Sequence, residues 1–469
     1  MSKIEHNCIL LRYGEIGLKS RRTRPWFEKR YVKCIKNALA RSGVKAYTIK
    51  NLGARYVVYT SADVLNRLQR VAGIQSVSPA IHFTFESKQD ILNEIKKYNN
   101  LVENKTFGAK VRRVGNQGFN SQELAKEIGD TLYEFSKGVN LTNPDVFINL
   151  EIRDNNAYLF TESFEGVGGL PIDSSQPVLC LFSGGMDSPV AAYQLMKRGC
   201  AVDFVFINMQ GDKSLHEASK VYNYLVDEYW HGYTPRFFHV DAKEVVKRIM
   251  EVPDRLRQIV LKVAFYQIAN SIEGYTAIGT GEALSQKSSQ TLQSLAVLNT
   301  FSEKIVLRPV IGMDKIEVMD IAQKIGTYAA SQKVTEYCGI SKGAVTTVPK
   351  LEEIQEHIVN VSDVKIETYK GIINLKPVID VKVTEGIVVD IRDEYIQEED
   401  PLGGLSYKYP DVLSQLDKFD KEKEHIITCT FGVKSDEVAF SLRKKGVKAI
   451  SMSTAAWKIY LKKEEIKEI

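Results

Sequence analysis

One strand-to-helix junction in this 469-residue chain carries the strongest chemical signal. Ser183-Gly184-Gly185-Met186-Asp187-Ser188 follows the apolar run Val178–Phe182, which reads as a buried parallel strand. The glycines remove side-chain bulk, so backbone N–H groups can crowd round an anion, and the start of the next helix adds the positive end of its dipole. Ser188 is expected to N-cap that helix, with Pro189 in its first turn. Asp187 would repel a phosphate unless Mg²⁺ lay between them. No Gly-Lys-Ser/Thr follows, which excludes a Walker loop; an ordinary tight turn is the plain alternative. Of six cysteines, Cys8, Cys180 and Cys200 lie in apolar strand-like settings and read as buried filler, whereas Cys338 and Cys429 sit in glycine-containing loops. The absence of any C-x-x-C pair argues against a zinc site.

The elements that must position these residues fall into distinct textures. From Val178 onward, strands at 178–182, 202–207, 236–239, 277–279 and 305–307 alternate with helical patterns at 189–198, 217–229, 242–250 and 255–272. That alternation predicts a doubly wound parallel sheet with its ligand at the strand C-termini. Past the strand at 277–279, the polar loop Gly279–Thr291 offers Gln286, Ser288, Ser289 and Gln290, and Asp314-Lys315 follows the last strand; helix capping is the structural alternative for each of these. Before that domain come two α+β stretches. The first has a strand at 8–13, a turn, then Arg21, Arg22 and Arg24 leading into a helix over 25–42. The second has a strand at 106–114 carrying Lys110, Arg112 and Arg113, a helix over 121–136 capped by Ser121, and a hairpin at 145–162. Residues 346–378 read as a linker. Strands at 387–392 and 426–429 and a helix reaching about Lys445 then make a small α/β unit. The expected divisions are 1–75, 76–170, 171–345, 346–378 and 379–469.

With 44% apolar and 26% charged residues, the chain has the composition of a globular protein of about three domains. No apolar run is long enough to span a bilayer and no signal-peptide core is present, so the expected home is the cytoplasm. The net charge of +5 is unevenly spread. Residues 1–60 hold 14 Lys/Arg against 3 Asp/Glu, and residues 351–420 hold 7 against 16. Such asymmetry suggests a nucleic-acid face at the basic end, a solvated basic surface being the other reading.

Three motifs resemble known families. Ser183–Ser188 is similar to the S-G-G-x-D-S signature of PP-loop ATP pyrophosphatases. Lys110–Ser121 together with Asn140–Asp145 resembles a THUMP domain, a module that holds tRNA. Cys429-x-x-Gly432-x-Lys434-Ser435 resembles a rhodanese active-site loop, with Lys434 where rhodaneses usually carry Arg. A cradle of N–H groups at a helix start favours a thiolate or persulfide there. In combination, over almost the whole chain, these motifs resemble the tRNA 4-thiouridine synthetase (tRNA sulfurtransferase) family.

That resemblance implies a fold and a chemistry. The fold is a multidomain α/β chain: a basic ferredoxin-like module, THUMP, a PP-loop domain and a rhodanese-like domain. The chemistry is adenylation of a tRNA uridine at O4 by ATP with Mg²⁺, then displacement of AMP by sulfur from a Cys429 persulfide. A cysteine desulfurase would load that persulfide, Cys338 would resolve it through a Cys338–Cys429 disulfide, and a reductant would reopen the bond. Transfer of sulfur to a carrier protein for thiamine is implied as well. The resemblance assigns the nucleotide to Leu181, Phe182, Ser183, Gly184, Gly185, Ser188, Phe206, Ile207, Lys262, Gly281 and Gln290. It assigns Asp187 to the metal and to activation, Lys315 to developing phosphate charge, and Arg21, Arg22, Arg24, Lys110, Arg112 and Arg113 to tRNA. Two other readings stay open: a sulfurtransferase acting only on a carrier protein, and an RNA-binding scaffold with a dead nucleotide site.

Overall fold

The structure is a computed structural model that describes residues 5–334, 340–375 and 386–467, with side chains as far as residue 461. Cys338 therefore lies outside the described residues, and so does its pairing with Cys429. The chain divides after Pro171 into two compact units. Among the described residues no helix is long and apolar enough to cross a membrane.

The first unit is built on one nine-stranded sheet. Its central strand, Ile74–Thr84, pairs antiparallel with Cys8–Tyr13 through its first half and with Asn156–Phe160 through its second. The expected boundary at 75/76 falls inside this strand, because a single run of 11 residues serves two neighbours in succession. Thr106–Val114 pairs parallel with Val146–Arg153 over eight residues. The helix Arg24–Arg41 buries Tyr31, Cys34, Ile35, Ala38 and Leu39, the i, i+3, i+4, i+7, i+8 stripe of an amphipathic helix. The helix Ser121–Leu132 is capped not by Ser121 but by Asn120, whose side chain accepts the Glu123 N–H at 2.6 Å.

Glu151 ties the two halves of this sheet together. It is buried, and accepts hydrogen bonds from Arg12 at 2.9 Å and from Arg55 at 3.2 Å. Burial pushes its carboxyl pKa up, but the two guanidinium groups outweigh burial and hold it below the usual range.

The second unit carries a six-stranded sheet in the order Ile305–Leu307, Ala277–Gly279, Leu170–Leu181, Arg198–Asn208, Arg236–Asp241, Lys365–Lys370. Period-2 alternation sends Leu179, Val205, Ile207, Phe238 and Val240 to a core shared with the helices Lys243–Met250, Arg257–Ser271 and Leu292–Thr300. Phe204 and Phe237 point the other way, against Tyr222 of the helix Asp212–Tyr229. Both faces are thus covered, the condition for an open parallel sheet. The stretch expected to be a linker instead contributes the helix Leu351–Glu356 and the edge strand Lys365–Lys370, which runs antiparallel to Arg236–Asp241. Its charged residues suit a sheet edge, where charge discourages further pairing.

A four-stranded parallel sheet follows, in the order Leu405–Ser406, Ile387–Asp390, His425–Cys429, Ala449–Ser453, with the helix Val433–Lys444 packed on its last strands. This module is seated on the larger sheet's helices by buried ion pairs. Asp436 accepts from Lys220, Lys333 and Ser451, and Lys434 reaches Glu228 at 2.8 Å.

Replacing Glu151 by Gln leaves two largely buried guanidinium groups without their anion. The loss should be about 3 kcal/mol at pH 7, read from the urea midpoint. The folded-state pKa of Glu151 is depressed, so its contribution is present above the ordinary glutamate pKa and lost as pH falls through the lowered value. The gap between wild type and Glu151→Gln should therefore narrow on acidification below about pH 4; a gap independent of pH would contradict the assignment.

Candidate active site

Strand Leu170–Leu181 delivers the chain into the glycine loop, and the helix Asp187–Lys197 leaves it. Gly184 has φ +76°, and a Cβ there would lie 2.9 Å from Ala218 Cα, so the loop needs a residue with no side chain. Ser188 does not cap the helix. Its hydroxyl sits inside the loop, accepting the Ser183 N–H at 3.1 Å and lying 3.2 Å from Ser183 Oγ, which in turn accepts the Gly185 N–H at 3.2 Å. The two serines thereby set the loop's curvature from within.

Asp187, first residue of that helix, faces a lysine from another helix start. Lys315 Nζ donates to Asp187 Oδ1 at 2.9 Å. Lys315 opens the helix Lys315–Lys324, which Asp314 caps with both arms of a capping box. A cation at a helix N-terminus opposes the dipole, so the Asp187 carboxylate offsets an otherwise unfavourable placement. Among the described residues the second carboxylate oxygen accepts from the Gln286 amide, at 3.5 Å. One accessible hard oxygen beside an anion-binding loop fits Mg²⁺, which keeps most of its waters and takes few protein ligands.

The loop that follows strand Ala277–Gly279 closes the site. Gly281 packs on the backbone of the glycine-loop helix: a Cβ would fall 2.8 Å from Asp187 C and 2.9 Å from Ser188 N. The loop then holds itself through Ser285 N–H to Gln290 O (2.9 Å) and Gln290 N–H to Lys287 O (2.8 Å).

Between these segments lies a cavity of about 220 Å³. Leu181, Phe182, Ser183, Asp187, Ser188, Phe206, Ile207, Lys262, Gly281 and Gln290 all line it, so the sequence-selected residues converge from three strand ends and one helix. Gly184, Gly185 and Lys315 stand outside its wall. Gln290 is buried and its Oε1 has no hydrogen-bond partner among the described residues, so a ligand N–H is the group that would satisfy it. Together with the apolar Leu181, Phe206 and Ile207, that fits a purine. Sequence reasoning passed over Glu282, Gln258, Leu261 and Phe265, which share the wall. The last three stand with Lys262 on one stripe of the helix Arg257–Ser271, and that spacing is the signal that could have found them.

The second site is at Cys429, the last residue of strand His425–Cys429. Its sulfur is 3% exposed and accepts N–H groups from Gly432 at 3.2 Å and Ser435 at 3.3 Å, at the start of the helix Val433–Lys444. Lys434, expected as the loop's cation, instead pairs with Glu228 and Asp393. A separate cavity of about 180 Å³ adjoins Cys429, with Tyr224, Glu228, Arg392 and Lys434 in its wall. Arg392 is held there by Asp390 at 2.7 Å and Asp400 at 2.9 Å. The two cavities share no lining residue.

In the first unit the basic residues divide by role. Arg21, Arg22, Lys110 and Arg112 are exposed. Lys110 and Arg112 share one face of strand Thr106–Val114 by alternation, Lys110 lying 3.3 Å over the Phe147 ring. Arg24 and Arg113 are spent on their own loops, Arg24 on Gly17 O at 2.8 Å and Arg113 on Gly115 O at 3.0 Å.

Comparison with known proteins is consistent along the chain. Family profiles match for the ThiI ferredoxin-like domain over residues 8–78, the THUMP domain over 84–162 and the thiamine biosynthesis protein ThiI over 173–362. A tRNA sulfurtransferase of Desulfurococcus amylolyticus is 36% identical, covering 94% of this chain and 95% of that protein. Another, of Pyrobaculum aerophilum, is 36% identical over 95% and 96%. Among solved structures, a 4-thiouridine synthetase in complex with RNA and bound ATP superposes with TM-score 0.65 at 24% identity, over 78% of this chain and all of that one. A Pyrococcus horikoshii structure gives 0.54 at 26% identity, over 68% and 99%.

Gly281→Ala forces a methyl group against backbone that cannot yield. Overpacking of this kind costs about 1–3 kcal/mol. Nucleotide affinity should fall at least about tenfold, measured with a fluorescent ATP analogue, while circular dichroism stays unchanged; wild-type affinity would show that the contact with Asp187 and Ser188 does not shape the loop.

Proposed function

The chain belongs to the tRNA sulfurtransferase family, and from that membership we propose that it makes 4-thiouridine in tRNA, using ATP to activate uridine O4 and Cys429 to deliver sulfur. The observation that carries the reading is one unit holding two kinds of site: a glycine loop with an Asp187–Lys315 pair at a purine-sized cavity, and a cysteine sulfur receiving two backbone N–H groups at a helix start. The first suits phosphates and leaving-group charge, the second a sulfur anion.

In this reading Leu181, Phe206, Ile207 and Gln290 hold the base. Ser183, Gly184, Gly185 and Ser188 shape the phosphate loop, with Lys262 on the opposite wall. Asp187 would hold Mg²⁺, which would supply charge neutralisation on the phosphates. Lys315 keeps Asp187 aimed and adds a cation to developing phosphate charge. Uridine O4 is a poor leaving group, and adenylation turns it into AMP, a good one. The terminal sulfur of a Cys429 persulfide attacks C4 and AMP leaves. Cys338 thiolate then attacks Cys429 Sγ, which frees the thiolated base and leaves a Cys338–Cys429 disulfide for a reductant to open. A cysteine desulfurase loads the persulfide, and the cytoplasm supplies the tRNA and the thiols. Arg21, Arg22, Lys110 and Arg112 contribute phosphate contacts to tRNA. The profile named for thiamine biosynthesis supports a sulfur-carrier protein as a second acceptor.

Two predictions test this. With ATP, Mg²⁺, labelled cysteine and a desulfurase, wild type should yield 4-thiouridine by nucleoside mass spectrometry. Asp187→Ala should lose pyrophosphate release, and Cys429→Ala should lose labelled sulfur and thiouridine yet keep adenylation; thiouridine at the wild-type rate from Cys429→Ala would sink the mechanism.

Because Cys429 is buried and its cavity is separate from the nucleotide's, delivery requires the sulfur module to leave the seat that Lys220 and Lys333 make for Asp436. Lys220→Ala/Lys333→Ala should then alkylate Cys429 with iodoacetamide at least about tenfold faster, the equivalent of about 1.4 kcal/mol of lost docking. An unchanged rate would mean that the ion pairs do not hold the module down.

A further inference from the structure

Glu282 is a carboxylate that no part of the proposed chemistry uses, yet it is 2% exposed and stands in the wall of the nucleotide cavity. A charge buried this deeply persists only when it is paired and hydrogen-bonded. Its two oxygens are treated differently. Oε2 accepts from Arg308 Nε at 2.9 Å, Tyr266 OH at 2.9 Å and Thr280 Oγ1 at 3.2 Å. Oε1 has no hydrogen-bond donor among the described residues and faces Lys262 Nζ at 3.7 Å, too far for a hydrogen bond.

The two cations beside it differ in the same way. Arg308 is held through Nε and Nη2, Nη2 donating also to Tyr266 OH at 3.0 Å and Asn299 Oδ1 at 2.8 Å. The Lys262 ammonium makes no hydrogen bond to any described residue; it also lies 5.9 Å from the centre of the Phe265 ring. Arg308, Tyr266 and Thr280 thus fix the carboxylate, and the carboxylate draws the Lys262 ammonium toward the cavity while leaving all three of its donors unspent.

We propose that Glu282 is a positioning residue for the nucleotide's phosphates, acting through the Lys262 ammonium that it orients. The inference rests on the nucleotide reading of this cavity given above. Burial pushes the Glu282 carboxyl pKa up, but Lys262 and Arg308 outweigh burial and hold it below the usual range, so the charge that orients Lys262 is present at neutral pH. A carboxylate in a phosphate site would otherwise repel its ligand. Here Oε2 is turned away into three donors, and Oε1 is screened by the lysine it steers.

The test uses the full chain and two probes, ATP and adenosine. Glu282→Gln keeps the side-chain volume and an acceptor for Arg308 and Tyr266 but removes the charge. ATP should bind about tenfold more weakly while adenosine binds as in wild type. KM for ATP should rise with kcat within about twofold and KM for tRNA unchanged. Lys262→Met should show the same selective loss, and Glu282→Gln/Lys262→Met should be no worse than Lys262→Met alone. If Glu282→Gln does not fold, Glu282→Asp, which withdraws the charge by one methylene, should show the same ATP-selective loss. Losses that add in the double variant, or adenosine affinity falling alongside ATP, would overturn the inference and make Glu282 a partner of Arg308 alone. Wild-type protein that binds neither probe would remove the nucleotide reading and this inference together. An unaffected Glu282→Gln in a protein whose wild type binds ATP would overturn this inference only.

Discussion

Everything in the nucleotide site depends on two close approaches of backbone to backbone. Gly281 lies against Asp187 and Ser188, and Gly184 lies against Ala218, each nearer than any Cβ would permit. The first contact locks the loop after strand Ala277–Gly279 onto the phosphate-loop helix, which brings Gln290 and Glu282 into the same cavity as Asp187. The second presses that loop against the helix Asp212–Tyr229, two residues from the lysine that receives Asp436. Geometry fixed by main chain is stiffer than geometry fixed by side-chain packing, and phosphate chemistry needs that stiffness because the donors must be in place before charge develops.

Buried charge appears at the joints of this protein more than in its cores. Glu151 joins two halves of one sheet, Asp203 gathers Tyr233, Tyr275 and Arg236, and Asp436 joins the sulfur module to the larger sheet's helices. Apolar packing would hold these joints at least as firmly, since the desolvation of an ion pair consumes much of its attraction. What a charged pair adds is direction: Asp436 is satisfied only when Lys220 and Lys333 both reach it, which defines one seating of the module. Its carboxyl is held below the usual range because those lysines outweigh the cost of burial. A seat of this kind can be left and found again, whereas a large apolar face, once exposed, would stick elsewhere.

The parts of this fold legible from sequence were those where local pattern and tertiary role coincide. Strands Cys8–Tyr13, Thr106–Val114, Ala277–Gly279 and Ile305–Leu307 begin and end where the residue pattern puts them. The failures share a cause: a partner distant in sequence took over a locally ambiguous residue. Ser188 has the character of an N-cap, but its hydroxyl accepts the Ser183 N–H instead. Lys365–Lys370 reads as polar linker, and becomes a strand because Arg236–Asp241 offers it an open edge. Lys434 stands where rhodaneses usually carry Arg, and is claimed by Glu228, 206 residues earlier in the chain. Among candidate site residues, those on the strand ends could be selected because a doubly wound sheet gathers strand C-termini whatever its loops contain. Glu282 escaped notice because a carboxylate in a phosphate site makes sense only once Arg308 and Lys262 are seen beside it.

The separation of the two cavities suits the chemistry proposed for each. A persulfide is a strong nucleophile and is readily reduced or oxidised; an adenylated base is an electrophile that water or any thiol can destroy. Keeping both open to one cleft would invite each to react early. Here Cys429 is shut in beside Tyr224 and Glu228, its sulfur bonded to two N–H groups, while the nucleotide cavity is walled by other residues altogether. The segment Lys333–Val334 runs between them: Lys333 binds Asp436 of the sulfur module and Val334 lines the nucleotide cavity. Residues 335–339, with Cys338 among them, come next in the chain. The cysteine proposed to resolve the persulfide thus follows, within a few residues of sequence, both Val334 of the cavity wall and Lys333 of the module's seat. Lys333 and Val334 are consecutive, so the wall of the one cavity and the seat of the module holding Cys429 are joined by a single peptide bond.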